Sequence, residues 1–257
     1  MLPPGGSVEL MASGETGPLL RFRCAEVRLK GSTADLSPGD LRSLRRTPFL
    51  RRFPPRNSTK AEVLVCRHGD RTIALKDYGA RPFLVRQVIG RCLIRREAAA
   101  YRAAGEMPGL PRFLGRLGPF ALATEWIDAR PLAALAPHEV SPACFDRLAA
   151  VVDSLHERGI ALSDLHHRDV LVDGAGSVYV VDLALAWIAG ARGSRFRRRV
   201  FELLRDQDRV ALARLRARFT GQDERIAIAA VGRAAARRYE LGRRLRGALD
   251  RLRGHGR

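Results

Sequence analysis

A short hairpin pattern that carries two aspartates constrains the fold of this chain more than any other feature of its sequence. Residues 170–172 (VLV) and 178–181 (VYVV) predict two strands, because both runs are rich in β-branched residues and the DGAGS between them is typical of a tight turn. A turn centred between Ala175 and Gly176 would place Asp169, before the first strand, opposite Asp182, after the second. Cross-strand partners share a face of the hairpin, so these two carboxylates are predicted to face each other.

The facing carboxylates of Asp169 and Asp182 indicate a metal site. Two such groups repel unless a positive charge lies between them, and a hard cation such as Mg2+ or Mn2+ prefers oxygen ligands. Asp164 lies five residues before Asp169 and would overhang the same position. The alternative is a surface hairpin with solvated aspartates, as in most Asp-Gly turns, and we interpret Asp173 as such a turn residue.

A second candidate group of residues lies upstream. Residues 62–66 and 71–76 predict two strands around a His-Gly-Asp turn, and the second strand ends in TIALK at Lys76. The chain has only three lysines among its 46 basic residues. A lysine kept in so arginine-rich a sequence indicates a position that needs a compact ammonium, such as a contact with phosphate.

The next segment, residues 83–104, predicts a helix with a carboxylate on its apolar stripe. Apolar residues recur every four positions, and Glu97 falls on the same line. A buried carboxylate without a partner costs several kcal/mol, so Glu97 needs a cation. We expect Lys76 to be that cation; pairing with Arg95 or Arg96 at the helix edge is the alternative.

Taken as a set, these motifs resemble the catalytic pattern of protein kinases, in which H-R-D-L…N is followed by D-F-G and preceded by a V-A-I-K strand. The resemblance implies that Asp164 orients an acceptor hydroxyl and takes its proton. It implies that Asp169 and Asp182 hold Mg2+ or Mn2+, and that Lys76 and Glu97 position the phosphates of ATP.

Within the kinases, residues 57–218 resemble the RIO family of atypical protein kinases and, more closely, the bacterial lipopolysaccharide-core kinases of the Kdo and heptose type. NSTK at 57–60 is similar to a phosphate loop of the S-T-G-K type, and ALATEWIDARPLAAL at 121–135 is similar to the hinge between the lobes. The nucleotide-binding residues that this similarity implies are Ser58, Thr59, Lys60, Lys76, Glu125 and Ile127.

Several departures from the kinase pattern leave a second function open. No G-x-G-x-x-G loop is present, Leu162 stands where the pattern has histidine, and Asp169 stands where it has asparagine. Residues 182–184 are Asp-Leu-Ala in place of D-F-G. The A-P-E motif is also absent, but this absence is shared with the RIO and lipopolysaccharide kinases that the chain resembles. The alternative is therefore a catalytically weak pseudokinase that serves as a nucleotide-binding scaffold with a basic partner-binding surface.

The resemblance implies an α+β, bilobed protein-kinase-like fold with a small β-rich N-lobe and a helical C-lobe. A helix from Ser141 to Arg158, closed by Gly159, is predicted by its serine cap and the proline that follows it. The expected divisions are a basic Pro/Gly-containing extension at 1–55 with some strand character at 18–30, an N-lobe at 56–127, a C-lobe at 128–220 and a basic helical tail at 221–257.

The formal net charge of +19 has three explanations. Arginine-rich runs at 41–52, 192–199 and 232–257 could bind an anionic membrane or a phosphorylated glycolipid acceptor. They could bind nucleic acid, which we favour less because the scarce aromatics, 6% of the chain, do not alternate with the basic runs. They could also be solvated faces without a ligand.

The expected compartment is the cytoplasm, with peripheral contact at the inner membrane face. The four cysteines lack paired spacing, the N-terminus lacks a basic segment followed by an apolar run, and no stretch approaches 18 apolar residues.

The expected acceptor is a hydroxyl, either on a sugar of a lipopolysaccharide core or on a protein serine or threonine, and the sequence does not choose between them.

Overall fold

The computed structural model describes residues 48–55, 57–68, 71–189, 194–237 and 239–240, and it is a mixed α+β structure. The strands are β1 (Arg51–Phe53), β2 (Glu62–His68), β3 (Arg71–Asp77), β4 (Phe113–Arg116), β5 (Ala121–Glu125), β6 (Arg130–Pro131), β7 (Ile160–Ala161), β8 (Val170–Val172), β9 (Val178–Val180) and β10 (Trp187–Ile188). The α-helices are α1 (Arg91–Ala104), α2 (Pro142–Glu157), α3 (Arg195–Thr220) and α4 (Glu224–Val231). A π-helical segment, Val85–Gly90, leads into α1, and two short 3-10 turns, Leu132–Ala134 and Pro137–Glu139, follow β6.

The first half of the described chain forms a five-stranded antiparallel sheet in the order β1-β2-β3-β5-β4. In β3, buried Ile73, Leu75 and Asp77 alternate with partly exposed residues that include Lys76, as expected when successive side chains point to opposite faces. The predicted strands at 62–66 and 71–76 are confirmed. Lys76 therefore lies on the face opposite the core that contains Ile73 and Leu75.

Helix α1 packs close to the sheet because a glycine allows it. Ile94 of α1 packs with Tyr78 and Leu122 in a small buried cluster. A Cβ on Gly90 would lie 2.7 Å from the Tyr78 ring, closer than any side chain tolerates. The predicted helix over 83–104 is confirmed, with its first turns π-helical rather than α-helical.

The second half is built on α2 and α3 with a three-stranded sheet in the order β6-β8-β9 and a two-stranded sheet of β7 and β10. Its core contains Phe145, Leu148 and Leu155 of α2 together with Ile160 and Val170. The predicted start of α2 is confirmed, because the Ser141 hydroxyl accepts from the Ala143 N–H with Pro142 at the first helical position. The chain leaves α2 through Gly159 at φ +71°, also as predicted.

The register of the β8–β9 hairpin differs by one residue from the predicted one. Val170 pairs with Val180, so Asp169 lies opposite Val181 and not opposite Asp182. The reason is the turn: the Asp173 carboxylate accepts from the N–H groups of Ala175 and Ser177 and stabilises the five-residue loop 173–177. Asp173 is a turn residue, as interpreted from the sequence.

Two segments bear on the predicted divisions. Residues 51–53, which the prediction placed in the N-terminal extension, form β1, which pairs with β2 as an edge strand of the sheet. Residues 233–237 and 239–240, in the predicted helical tail, are helical, and Ala235 is buried against Val210 and Ile228. The strand character predicted at 18–30 and the remainder of the tail, 241–257, lie outside the described residues. Across the part of the chain that the structure describes, no helix combines the length and apolarity needed to cross a membrane.

Candidate functional site

Lys76 joins three elements of the fold at one point. Its Nζ lies 2.7 Å from Glu97 Oε2 of α1 and 2.8 Å from Asp182 Oδ1, which follows β9. The predicted contact between Lys76 and Glu97 is present, and the alternative contact with Arg96 is not, because Arg96 donates to the carbonyls of Leu185 and Ala186 at 3.4 and 3.5 Å. The ammonium is thus a shared partner of two carboxylates.

The three charges are tightly coupled. Burial disfavours a charged Lys76, but Glu97 and Asp182 outweigh it and raise the pKa of the ammonium above its ordinary value. Glu97 is 2% exposed, and burial, reinforced by the charge of Asp182, raises its pKa to about 7 despite the attraction of Lys76. Lys76 therefore stays charged at neutral pH, whereas the carboxyl of Glu97 titrates close to neutral pH.

Asp182 is held by its backbone as well as by Lys76. Its φ of +68° is in the left-handed region, which non-glycine residues adopt at a cost of order 1–3 kcal/mol. Its Oδ1 accepts from the Ala184 N–H at 3.2 Å. Burial alone would raise the pKa of this carboxyl, but the Lys76 ammonium lowers it, so Asp182 is ionised at neutral pH. Such a strained backbone persists only where surrounding contacts hold it in place, and strained residues of this kind are frequent at functional sites.

Asp169 and Asp164 complete the acidic part of the site. Asp169 is partly buried, and burial together with the charges of Asp182 and Asp164 raises its pKa to about 6. Although the register separates Asp169 from Asp182 by one position, the two carboxylates remain close enough to act on each other. Asp164 is exposed to solvent.

The acidic residues suit a hard cation. Within the described ranges, no group of three or more His, Cys, Asp or Glu side chains is arranged to hold a metal ion. Asp169 and Asp182 supply carboxylate oxygens only, the donor type that Mg2+ and Mn2+ prefer. Burial is the main cause of the raised pKa of Asp169, the charges of Asp182 and Asp164 add to it, and a divalent cation beside the carboxyl would favour its ionised form.

The predicted phosphate loop lies within electrostatic reach of these carboxylates. The side chain of Asn57 closes a turn by accepting from the N–H and the hydroxyl of Thr59 at 3.1 and 2.9 Å. Ser58, Thr59 and Lys60 are exposed on that turn. The charge of Lys60 makes a small contribution that favours the ionised forms of Asp169 and Asp182.

The predicted hinge follows β5. The Glu125 N–H donates to the Arg112 carbonyl at 2.8 Å, and the Trp126 N–H donates to the Thr72 carbonyl at 3.0 Å. Within the described part of the chain, the N–H of Ile127 donates to no acceptor. That group is free to bind a ligand. In the described structure, no hydrogen bond or ion pair joins the side chain of Glu125 to Lys76, whose partners are Glu97 and Asp182.

The sequence analysis missed Asp208, a fully buried carboxylate on α3. Its two oxygens accept from the Leu162 and Ser163 N–H groups at 2.7 and 2.8 Å, and Oδ2 lies 3.0 Å from His156 Nε2. These bonds hold the backbone just before Asp164, where Ser163 has φ +69°. Phe201 and Leu215, seven residues to either side, are also buried, so a carboxylate on the apolar stripe of the helix was the available signal.

Comparison with known proteins adds no family to this site. The chain matches no protein-family model and no curated protein. The case for a function therefore rests on the residues and their geometry.

Proposed function

We propose that this chain is an ATP-dependent phosphotransferase with a bilobed protein-kinase-like fold, whose N-lobe is the five-stranded sheet with α1 and whose C-lobe contains α2 and α3. The observation that carries the proposal is the position of Lys76 Nζ, 2.7 Å from Glu97 and 2.8 Å from Asp182. These residues lie on three separate elements and come from three motifs whose kinase roles depend on their being together.

The spacing along the sheet suits a nucleotide. Glu125 pairs with Ile73, three residues before Lys76 on β3, which is about 10 Å at the rise of an antiparallel strand. In the proposal, the free N–H of Ile127 and the backbone of Glu125 bind the adenine. Lys76 and the turn of Ser58, Thr59 and Lys60 bind the phosphates.

In the proposed mechanism, the chain's own residues position the reactants and accept one proton. Asp164 orients the acceptor hydroxyl and takes its proton as the oxygen bonds to the γ-phosphorus, while the bond from that phosphorus to the β–γ bridging oxygen breaks and ADP leaves. Lys76, fixed by Glu97, holds phosphate oxygens in place. Asp169 and Asp182 would hold Mg2+ or Mn2+, which when bound neutralises the phosphate charge.

The acceptor is proposed to be a hydroxyl on a lipopolysaccharide-core sugar or on a protein serine or threonine, used in the cytoplasm or at the inner membrane face. Solvent exposure of Asp164 suits either, because the acceptor must reach this carboxylate from outside. The net charge of +19 favours an acceptor that is anionic or lies on an anionic surface, and it leaves nucleic acid as a weaker candidate partner.

The test is turnover of ATP by the purified protein with Mg2+, with each candidate acceptor in turn. Wild-type protein should produce ADP, and Asp164→Asn should lose at least tenfold in rate with nucleotide affinity unchanged. Asp153→Asn is the matched control, because Asp153 is exposed on α2, outside the site, and makes only a 3.9 Å ion pair with Arg209. Loss of turnover in both variants would remove Asp164 from the mechanism.

The pseudokinase function has one observation in its favour. In the described structure Lys76 bonds to Asp182, so a proposed metal ligand is already neutralised by the residue that should bind phosphate. A pseudokinase should bind nucleotide and show no turnover with any acceptor, and Asp164→Asn should then change nothing. The same assays separate the two functions.

A further inference from the structure

An exposed surface on the helix that carries Glu97 has no role in the site described above. We define the α1 face as the exposed residues Phe83, Leu84, Val88, Arg91, Cys92 and Arg95. Phe83, Leu84 and Val88 are 66%, 74% and 66% exposed, which is unusual for bulky apolar side chains so close in sequence. Residues 83–104 are helical throughout, and Leu84, Val88, Arg91 and Arg95 lie along one stripe because they are spaced by four, three and four residues. Phe83 lies beside Leu84, and Cys92 beside Arg91.

The charge of this stripe has a single sign. Residues 78–96 contain five arginines and no aspartate or glutamate. Arg91 and Arg95 are exposed and follow the apolar residues along the helix. Arg86 is set apart from them, because it donates to the Gly79 carbonyl at 3.1 Å and lies over the Phe83 and Phe120 rings at 5.9 and 5.3 Å. The α1 face is therefore apolar in its first part, at Phe83, Leu84 and Val88, and basic in its second part, at Arg91 and Arg95.

From this pattern we infer that the α1 face docks on an anionic lipid surface, with Phe83, Leu84 and Val88 entering the boundary between headgroups and acyl chains and Arg91 and Arg95 contacting anionic headgroups. Adjacent exposed apolar side chains beside cations, without acidic residues among them, match the chemistry of that boundary. A protein partner would need complementary acidic groups and a shaped apolar pocket, and a second copy of this chain would bring like charge against like charge. The inference does not depend on catalysis.

The α1 face and the candidate site share one helix. Glu97 lies on the buried side of α1, opposite the exposed α1 face, and Arg96 of α1 donates to the carbonyls of Leu185 and Ala186, just after Asp182.

The test measures binding of the full chain to vesicles of phosphatidylcholine alone and of phosphatidylcholine mixed with phosphatidylglycerol, without nucleotide. The variant Phe83→Ser/Leu84→Ser/Val88→Ser should bind the anionic vesicles at least tenfold more weakly than wild type. Arg91→Gln/Arg95→Gln should lose about fivefold for each arginine before screening by salt. Unchanged affinity in both variants would overturn the inference.

The matched controls lie elsewhere on the chain. Ile226 is 65% exposed on α4, next to Asp223 and Glu224, so Ile226→Ser removes an equally exposed apolar side chain outside a basic surface. Arg218→Gln does the same for an exposed arginine of α3. Both should bind as wild type does. If the controls lose as much vesicle binding as the α1-face variants, binding depends on the overall charge or apolarity of the protein and not on this face, and the inference is overturned.

A label reports insertion directly. Cys92 is exposed on the α1 face, whereas Cys66 and Cys144 are buried, so an environment-sensitive fluorophore in a Cys24→Ser background reports from Cys92. Its emission should shift to the blue on anionic vesicles and stay unchanged on phosphatidylcholine. A shift produced instead by concentrating the protein, or by added RNA in the absence of lipid, would assign the face to a second copy of the chain or to nucleic acid and overturn the inference.

Discussion

At the scale of single residues, the position of the Lys76 ammonium decides which carboxylate of the candidate site has its negative charge compensated. The sequence predicts that a metal ion separates Asp169 and Asp182, but in the described structure Lys76 supplies a positive charge to Asp182. Burial, together with the charges of Asp182 and Asp164, raises the pKa of Asp169 to about 6, whereas the Lys76 ammonium lowers the pKa of Asp182. Two carboxylates near one lysine thus have opposite shifts.

The chemistry of the cation at position 76 is testable. Lys76→Arg keeps the charge but replaces a compact ammonium, 2.7 Å from Glu97 and 2.8 Å from Asp182, with a larger planar guanidinium whose charge lies at a different position. Because a misplacement of about 1 Å can cost on the order of 100-fold, we expect turnover of ATP to fall by at least tenfold. Arg71→Lys, an exposed exchange on the same strand, should have no effect. Wild-type turnover in Lys76→Arg would place Lys76 outside the phosphate site.

Asp169 should make the stability of the metal-free protein depend on pH. Its carboxyl has a pKa of about 6 in the folded chain against an ordinary 3.8, so the folded state binds more protons than the unfolded state between these values. The free energy of unfolding should therefore fall as the pH rises from about 4 to about 6, and this contribution should be constant above that range. Asp169→Asn has no carboxyl to ionise, so its free energy of unfolding should not fall with rising pH in this way. At pH 7 the variant should be more stable than wild type by on the order of 2 kcal/mol.

Denaturant unfolding of the two proteins in a chelator, from pH 4 to pH 8, measures this difference. The two stability curves should meet near pH 4 and separate toward pH 7. Asp153→Asn controls for the loss of a carboxylate on an exposed helix face. Curves for wild type and Asp169→Asn that run parallel over the whole range would show that Asp169 is not perturbed by its neighbours.

At the scale of elements, local patterns predicted the strands and helices well, and tertiary contacts decided the rest. The β2–β3 hairpin, the helix with Glu97 and the Ser141 cap follow from periodicity and capping, which act within a few residues. The β8–β9 register was wrong because Asp173 stabilises a loop of odd length that composition alone does not specify. Edge strand β1 was missed because its pairing with β2 is not local and its residues are exposed.

Asp208 tests whether α3 positions the loop that carries Asp164. Asparagine offers one acceptor oxygen where the carboxylate accepts from the Leu162 and Ser163 N–H groups and contacts His156, so one buried N–H loses its partner. Asp208→Asn should lower the free energy of unfolding by about 2 kcal/mol. Turnover should fall at least tenfold with the nucleotide Kd within about twofold, because Asp208 touches the loop and not the nucleotide.

The control for Asp208→Asn is Glu202→Gln on the same helix, which removes a half-exposed ion pair with Arg205 and should change neither stability nor turnover measurably. Stability lost without any fall in turnover of the remaining folded protein would make Asp208 a structural residue only. A parallel rise in the nucleotide Kd would instead mean that α3 supports the nucleotide site.

At the scale of the whole molecule, a net charge of +19 must act through surfaces rather than through the buried site. The α1 face combines charge with apolar side chains, whereas the run at 241–257 is rich in arginine and lies outside the described residues. The two should respond differently to salt, because 0.1 M salt screens the attraction between charges farther apart than a Debye length of about 10 Å and does not weaken apolar burial.

The final prediction concerns attachment of the full chain to membranes. Binding to vesicles that contain phosphatidylglycerol should be strong at low salt, weaker at high salt, and absent on phosphatidylcholine alone. Replacing Arg243, Arg244 and Arg246 with glutamine should weaken low-salt binding about tenfold or more, at about 1 kcal/mol for each cation before screening. The vesicle binding that persists at high salt should instead disappear in the variant Phe83→Ser/Leu84→Ser/Val88→Ser of the α1 face.

A control of equal charge separates position from net charge in this prediction. Glutamine at Arg158, Arg209 and Arg218, at the end of α2 and along α3, lowers the net charge by the same amount and should weaken low-salt binding much less. Equal effects of the two triple variants would mean that the vesicles respond to total charge alone. If the protein ignores anionic vesicles at low salt yet phosphorylates soluble proteins, an acceptor on a membrane glycolipid is excluded, and protein serine and threonine become the acceptors.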